Sequence, residues 1–429
     1  MNGKEKLNEY ILRVCGQISN KDVHESITLE LESHFADKIE DFQSMGYSEE
    51  DAIQKAIAVM GDPVTIGKQL HQAHKPRMEW SVMVMVSILI GMGLLTMYSL
   101  SLSEQSGRFA KQLISMSCGV VAFASMLFFN YTKIKRYSTL LYSFTFLLMI
   151  FTIVSGTTIN GTPFLEIGSL QLDWIRISPY LLAIAMAGIF SDWNWERRST
   201  FFKALGFFPL PFALYANAHD MFAFILFTIA FLVLVMSLMK KRGHILGFLG
   251  MFTVFISGFF YLLAPHQKMR LSIFLNPYAD PDGAGYLTLQ LMKTVHSAGL
   301  WGNGLGARLD RVPDVQYDFV FAYVVHSFGL VTGAAVMVIG LLLLLRLIRA
   351  MKLVKDRYGS LLMACLMSLF FTPYFWSILM TVGFVPISSV DLPFFSNGSV
   401  QLILQMALIG LLLSIYRRKD ILPLSQNRG

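Results

Sequence analysis

The chain has 429 residues, of which 54% are hydrophobic and 15% are charged, and its formal net charge is +7. A soluble domain carries about a quarter charged residues, so this composition excludes an ordinary soluble protein. The basic excess does not indicate nucleic-acid binding, because the Lys and Arg residues cluster in short segments between long apolar runs. Charged residues are frequent before Trp80 and sparse after it, which predicts a soluble domain over residues 1–75 and a basic linker at a membrane surface.

The first domain is predicted to be helical. Apolar residues recur at helical spacing in two runs, Leu7, Ile11, Val14 and Ile18, and then Val23, Ile27, Leu31, Phe35 and Ile39. Ser48 is typical of a helix N-cap, and Gly61-Asp62-Pro63 is typical of a helix end. The stretch 31–63 resembles the small permease-prefix domain of some bacterial membrane proteins, which implies a cytoplasmic regulatory or docking module.

Two pairs of residues in this domain have the spacing of metal ligands. They are His71 with His74 and His34 with Asp37. A metal site needs three or four converging ligands, so no metal is predicted.

After Trp80 the chain contains ten apolar segments of the length that crosses a bilayer. Ser178-Pro179 interrupts the fourth segment, and Pro209 and Pro211 interrupt the fifth. Such prolines are tolerated in spans when neighbouring helices satisfy the backbone. The predicted spans are 80–101, 112–130, 137–155, 175–191, 201–217, 221–239, 244–263, 319–347, 359–383 and 398–416.

The basic residues between these spans predict the orientation of the chain. They fall in alternate loops, which places those loops, residues 1–75 and the tail 417–429 in the cytoplasm. The clusters are Lys133, Lys135 and Arg136; Arg197 and Arg198; Lys240, Lys241 and Arg242; Arg346 to Arg357; and Arg417, Arg418 and Lys419.

One connection, residues 264–318, is far longer than a usual loop and is predicted to lie on the outer face, where we expect the functional site. We refer to it as the long loop. Gly302, Gly304 and Gly306 do not predict a nucleotide site, because no strand flanks them. Its motifs begin with Arg270-Leu-Ser-Ile-Phe-Leu-Asn-Pro277, Asp280-Pro-Asp-Gly-Ala-Gly285-Tyr286 and Gln290, and they continue with Gly302-Asn-Gly-Leu-Gly306 and Val312-Pro-Asp-Val-Gln-Tyr-Asp318-Phe-Val-Phe-Ala322.

These motifs, their order and the ten spans resemble the SEDS family of bacterial cell-wall polymerases, which includes the RodA, FtsW and SpoVE proteins. The resemblance covers residues 85–416 and includes Val382-Gly383 and Leu392-Pro-Phe-Phe-Ser396-Asn-Gly-Ser399. It implies an all-α, polytopic membrane fold preceded by the soluble helical domain. The chain departs from the family where a Glu and a Lys are expected at the start of the fourth span, because Leu181 and Ile184 occupy those positions.

The resemblance implies a peptidoglycan glycosyltransferase that polymerises lipid II, with Asp318 in the position of the catalytic Asp. A carboxylate at the mouth of a membrane cavity is suited to remove a proton from an acceptor hydroxyl, because partial desolvation raises its pKa. From its position alone, Asp318 is equally typical of an N-cap for the eighth span. Asp280 and Asp282 are interpreted as turn residues.

Further substrate-binding residues are predicted around Asp318. Cationic side chains bind phosphate oxygens, although a loop beside anionic headgroups collects cations in any case. The cations are Arg270, Lys293, Arg308 and Arg311, and the polar candidates are Gln290, Gln316 and Ser396.

Two other functions remain open from the sequence. One is a transporter that flips a polyprenyl-linked precursor, and the other is a non-catalytic scaffold, which the missing Glu and Lys favour. The predicted location is the bacterial cytoplasmic membrane. The expected partners are lipid II, a single-span class B penicillin-binding transpeptidase and membrane lipids, with no nucleic acid. No cofactor is predicted, and participation of a divalent cation is left open.

Overall fold

The computed structural model describes residues 3–18, 24–73, 78–104, 108–159, 161–168, 170–239, 265–309, 312–397 and 399–419, together with isolated positions between 240 and 264. These residues form two compact units. One consists of residues 1–78, 353–356 and 416–429, and the other consists of residues 79–352 and 357–415.

The first unit contains four helices before the membrane segments. They are α1 (Gly3–Gly16), α2 (His24–Ser44), α3 (Glu49–Met60) and α4 (Pro63–Ala73). The two predicted apolar runs meet in one core, in which Val14 and Phe35 are fully buried. The predicted N-cap is confirmed, because the Ser48 hydroxyl accepts a hydrogen bond from the backbone N–H of Asp51 at 3.2 Å. Gly61 ends α3 with a φ of 86°, a left-handed conformation that favours glycine.

The second unit is built from long apolar helices. Among the described residues, eight helices are long and apolar enough to cross a membrane. They are α5 (Trp80–Glu104), α6 (Arg108–Phe128), α8 (Ser138–Ser155), α9 (Trp174–Ser191), α12 (Met221–Leu238), α15 (Val320–Met351), α16 (Arg357–Thr381) and α17 (Ser399–Arg417); a short helix, α7 (Thr132–Arg136), precedes α8.

Two of the ten predicted spans differ from this set. The fifth is not one continuous helix, because α10 (Arg198–Leu205) and α11 (Pro209–Ala218) divide it. Pro209 has no N–H to continue the ladder of α10, and it occupies the first turn of α11, where that loss is harmless. The seventh predicted span, 244–263, lies outside the described residues apart from isolated positions.

A small antiparallel sheet, which was not predicted from the sequence, connects α8 and α9. Its strands are β1 (Thr157–Ile159), β2 (Thr162–Ile167) and β3 (Leu170–Leu172), in the order β1-β2-β3. The long loop is also more regular than expected, since it contains α13 (Pro265–Leu275), a 3₁₀ turn (Pro277–Ala279) and α14 (Tyr286–Ser297).

Helix α15 is broken near its start. Its 32 residues would extend about 48 Å as one α-helix, well beyond a hydrocarbon core of about 30 Å, and Gly329 interrupts it with a φ of 87°. The segment 299–304 of the long loop satisfies backbone groups at this break. Gly304 N–H donates to the Ser327 carbonyl at 2.9 Å, and Leu330 N–H donates to the Gly299 carbonyl at 3.0 Å. The break thereby fixes the first turns of α15 against the long loop.

Candidate active site around Asp318

Asp318 lies at the end of a turn that leads into α15. The backbone N–H of Asp318 donates to the Asp314 carbonyl at 3.2 Å, and α15 begins two residues later at Val320. The Asp318 carboxylate accepts hydrogen bonds from the Ser389 hydroxyl and the Val390 backbone N–H. The residue preceding α15 is Phe319, which makes no side-chain cap. The interpretation of Asp318 as the N-cap of this helix is therefore wrong, because its carboxylate is bound to a different segment.

A second set of hydrogen bonds holds the two segments together. The buried hydroxyl of Ser396 donates to the Tyr317 carbonyl at 2.7 Å and accepts from the Leu392 N–H at 2.8 Å. In addition, the Asn397 N–H donates to the Gln316 carbonyl at 2.8 Å. The chain between α16 and α17 thus contacts both the Asp318 carboxylate and the backbone just before Asp318.

The surroundings of Asp318 make its carboxylate a stronger base than an exposed one. Burial raises its pKa, and the nearby Asp314 carboxylate acts in the same direction. The positive charge of Arg176 and the hydrogen bonds from Ser389 and Val390 lower the pKa, but the net shift is upward. Asp318 remains half-buried, so a hydroxyl can reach it from the cavity beside it.

Among the described residues, Arg176 is the cation that acts on Asp318, and it lies in the first turn of α9. Its Nε donates to the Asp220 carboxylate at 3.3 Å and lies 3.2 Å from that of Asp173. Both carboxylates also cap helices. Asp173 accepts from the Arg176 N–H at 3.1 Å at the start of α9, and Asp220 accepts from the Ala223 N–H at 2.9 Å at the start of α12. The cluster therefore joins the starts of two helices beside Asp318.

Asp391 is a further carboxylate at this place, two residues after Ser389. Burial raises the pKa of Asp391 to about 6 against the opposing effect of the Arg176 charge, and the negative charges of Asp318 and Asp173 act in the same direction as burial. The interaction of Asp391 with Arg176 and Asp318 places it in the same charge cluster.

Four residues of this cluster, Arg176, Asp173, Asp220 and Asp391, were not predicted from the sequence. One signal for Arg176 was present, because an ionisable residue inside a predicted span, here 175–191, is a functional candidate by default. Asp173 and Asp220 each precede an apolar run and could have been predicted as helix caps. Nothing local marks Asp391, since only the fold brings the loop after α16 against Arg176.

A cavity of about 390 Å³ opens beside Asp318. It has an apolar wall from α13 and α14 and a polar wall from the turns that contain Asp318 and Ser389. Such a mixed lining suits a substrate that carries both apolar and polar groups. The lining residues are Ile273, Phe274, Ala284, Leu287, Thr288, Pro313, Asp314, Asp318, Phe319, Ile387, Ser388 and Ser389.

Of the other predicted binding residues, Lys293, Gln290 and Arg308 are described by the structure and do not line this cavity. Lys293 is exposed and Gln290 is half-buried on α14, and Arg308 is exposed, with its carbonyl accepting a hydrogen bond from His326 Nε2 at 3.1 Å. Arg311 and the side chain of Arg270 lie outside the described part of the chain. Their roles stay predictions.

The Asp280 carboxylate is hydrogen-bonded within its own turn, as the neighbouring Pro and Gly residues predicted. Its carboxylate accepts from the N–H groups of Gly283 at 3.1 Å and Ala284 at 2.9 Å. A Cβ at Gly285 would collide with the Pro277 carbonyl, so the turn requires glycine there. Within the described ranges, no group of three or more His, Cys, Asp or Glu residues is arranged to hold a metal ion.

Comparisons with known proteins agree with this fold. Residues 79–421 match the family model for FtsW, RodA and SpoVE, described as cell cycle protein. The chain is 26% identical to stage V sporulation protein E of Bacillus subtilis over 78% of this chain and 96% of that protein. It is 24% identical to the peptidoglycan glycosyltransferase RodA of Treponema pallidum over 80% of this chain and 98% of that protein.

Two solved structures share the fold. One is described as the structural coordination of polymerization and crosslinking by a peptidoglycan synthase complex, and its matching chain superposes with a TM-score of 0.68 at 20% identity, over 80% of this chain and 98% of that one. The other is the crystal structure of the Thermus thermophilus rod shape determining protein RodA, with a TM-score of 0.60 at 18% identity, over 80% of this chain and 97% of that one.

The fold is therefore that of a multi-pass membrane protein with a charged site beside a long loop. The match over residues 79–421 is far more than half of the chain, and the chain belongs to the FtsW/RodA/SpoVE family.

Proposed function

We propose that this chain is a peptidoglycan glycosyltransferase that polymerises lipid II at the outer face of the bacterial cytoplasmic membrane. The observation that carries the proposal is the Asp318 carboxylate, which is half-buried at a cavity and has a raised pKa. Relatives that match nearly over their whole length are named peptidoglycan glycosyltransferases, which supports the same function.

In the proposed reaction, Asp318 removes the proton from the acceptor sugar hydroxyl. The resulting oxygen attacks the anomeric carbon of the donor, the bond from that carbon to the pyrophosphate breaks, and the pyrophosphate leaves on its lipid with the bonding electron pair. The configuration at the anomeric carbon is inverted. The cationic residues proposed to hold the phosphates are Arg270, Lys293, Arg308 and Arg311.

The proposed partner is a class B penicillin-binding transpeptidase that cross-links the glycan. One structural neighbour belongs to a peptidoglycan synthase complex that coordinates polymerization and crosslinking, which supports this assignment. Residues 1–75 and 417–429 are proposed to face the cytoplasm and the long loop the outside. A cysteine placed at residue 300 should react with an impermeant maleimide in intact cells, and labelling only from the inside would refute this orientation.

The decisive experiment is polymerisation of purified lipid II by the full chain, with its transpeptidase partner added. Asp318→Asn should reduce the rate by about 10²–10⁴-fold, as expected for the loss of a general base. Asp282→Asn is the matched control, because this carboxylate is exposed in the same long loop and does not line the cavity. A loss of tenfold or less in Asp318→Asn would refute the catalytic role.

A scaffold without activity is the second candidate, because Leu181 and Ile184 leave α9 without the Glu and Lys of the family pattern. The scaffold would be favoured if the wild type does not polymerise lipid II under conditions in which a related enzyme does. Accumulation of flipped precursor in vesicles would instead favour the transporter.

A further inference from the structure

Three large apolar side chains of the long loop are exposed within one short segment, residues 299–306, which we call the glycine segment. They are Leu300, Trp301 and Leu305, with exposed fractions of 61%, 79% and 59%. None of them lines the cavity beside Asp318, so the proposed reaction does not account for them. Large apolar side chains that stay exposed close together mark an interaction surface.

Hydrogen bonds hold the backbone of the glycine segment against α15. The Asn303 N–H donates to the His326 carbonyl at 2.9 Å, and the Asn303 side-chain amide donates to the same carbonyl at 3.0 Å. The Nε2 of His326 lies 3.1 Å from the Arg308 carbonyl. The Val331 N–H donates to the Leu300 carbonyl at 3.3 Å. The exposed apolar side chains are therefore carried by a backbone whose position is set by α15.

The length of α15 indicates how deep this backbone lies in the membrane. After the break at Gly329, the 22 residues from Leu330 to Met351 extend about 33 Å, which matches a hydrocarbon core of about 30 Å. The last turn of the helix carries Arg349, a cation of the kind that reaches the headgroups from the end of a span. The hydrocarbon core therefore begins close to Leu330, whose N–H is bonded to the Gly299 carbonyl.

A second helix gives the same depth. The Gly306 N–H donates to the Ser99 hydroxyl at 2.9 Å, and a Cβ at Gly306 would lie 3.5 Å from the Leu102 Cβ. Ser99 and Leu102 belong to the last turns of α5, whose 25 residues are enough to cross the bilayer. Two spans thus place the two ends of the glycine segment at the same membrane boundary.

The exposed apolar surface of these two spans continues onto the glycine segment. Tyr98 and Leu102 are exposed at the end of α5, and Leu330 and Val331 are exposed just after the break in α15. In a membrane, exposed apolar side chains of a span face lipid. Trp is enriched where the hydrocarbon meets the headgroups, because its ring is apolar and its indole N–H still finds a polar partner there. Trp301 therefore has the chemistry that this depth favours.

We propose that the glycine segment is a membrane anchor, in which Trp301 and Leu305 insert into the headgroup region of the leaflet nearest the long loop. The occupant of this surface is the lipid bilayer itself, and it is recognised through apolar burial rather than through a particular headgroup. The anchor holds the long loop against the bilayer where the loop is bonded to α15. This inference goes beyond the proposed function, since it does not depend on the reaction that the chain catalyses.

The fluorescence of Trp301 tests the anchor in the full chain, reconstituted in vesicles of phosphatidylcholine and phosphatidylglycerol. The sequence contains six Trp residues, so the Trp301 signal is taken as the difference between the wild type and Trp301→Phe. Phosphatidylcholine brominated near the headgroup end of its acyl chains should quench most of this difference signal, and iodide in the buffer should quench little of it. Quenching by iodide alone would place Trp301 in water and overturn the proposal.

A matched control places a Trp elsewhere in the same loop. Asp282 is exposed and charged, so we expect it to lie in water. Asp282→Trp in the Trp301→Phe background should give a signal that iodide quenches and brominated lipid does not. Equal quenching by lipid at both positions would show that the whole loop lies on the bilayer, and it would overturn the assignment to the glycine segment.

A second variant tests whether the two side chains insert together. Leu305→Asn removes apolar area from the anchor, so the quenching of Trp301 by brominated lipid, measured against Leu305→Asn with Trp301→Phe, should decrease. Unchanged quenching would overturn the joint insertion.

A docking site for a protein is the alternative that the same signal separates. Brominated lipid would then leave the Trp301 signal of the isolated chain unchanged, and an added transpeptidase would shift the Trp301 emission to shorter wavelength. That pair of results would assign the surface to a protein and overturn the proposal.

Discussion

The Nε of Arg176 lies 3.3 Å from the Asp220 carboxylate, so one ion pair joins the starts of α9 and α12. Asp220 is almost completely buried, with 6% of its side chain exposed, and it depends on Arg176 for neutralisation. Breaking a buried pair by removing one partner costs more than the pair contributes, since the remaining charge is left uncompensated.

Replacing Arg176 by Gln should therefore affect both stability and activity. Arg176 lowers the pKa of Asp318 and of Asp391, so its loss should raise both pKa values and move the acidic limb of polymerisation to higher pH. A pH profile of Arg176→Gln, with Arg176→Lys as the conservative control, tests the prediction. A shift of the limb to lower pH in Arg176→Gln would contradict it.

Replacing Ser396 by Ala should weaken the contacts that position Asp318, while the Asp318 carboxylate itself is retained. The change leaves the Tyr317 carbonyl and the Leu392 N–H without their buried partner, at a cost of about 1–3 kcal/mol. We expect a lower thermal midpoint and a partial loss of polymerisation. Ser272→Ala is the control, because that exposed hydroxyl bonds only its own helix, to the Met269 carbonyl. Equal stability of the two variants would show that the Ser396 contact is dispensable.

Replacing Gly302 by Ala should destabilise the break in α15. Gly302 has a φ of 76°, and a Cβ there would collide with the backbone of Ser327 and Gly329. Gly299→Ala is a matched control, since this residue also has a positive φ, of 64°, but its Cβ would meet no atom within 4 Å. The control should show only the conformational cost of about 1–2 kcal/mol. Thermal unfolding of the solubilised variants distinguishes the two, and comparable losses would contradict the packing argument.

Residues 1–75 should fold as an isolated helical unit, because α1 to α4 share one core. Circular dichroism of this fragment should show cooperative unfolding, whereas a random-coil spectrum would refute the prediction. Phe35→Ala should lower the free energy of unfolding by about 3–5 kcal/mol, since the side chain is fully buried. Leu12→Ala should change it by less than about 0.5 kcal/mol, because 71% of Leu12 is exposed.

Local signals in the sequence were sufficient for most of the long helices, whereas Asp318 was selected through its match to a family motif. Apolar length predicts a span, and Ser48 and Gly61 act within a few residues of their position, so these features could be predicted. The β1–β3 sheet was missed because its strands are only three to six residues long. Asp391 and Asp220 could not be assigned to the site, because their meeting at Arg176 depends on the packing of distant segments.

The break at Gly329 interrupts α15 at the place where the long loop is hydrogen-bonded to it. Residues 320–328 are fastened to the segment 299–304 by backbone hydrogen bonds, and Asp318 directly precedes them. We therefore expect a displacement of the long loop, for example by a bound protein, to shift the Asp318 carboxylate. The glycine break thus couples the position of the long loop to the position of the Asp318 carboxylate.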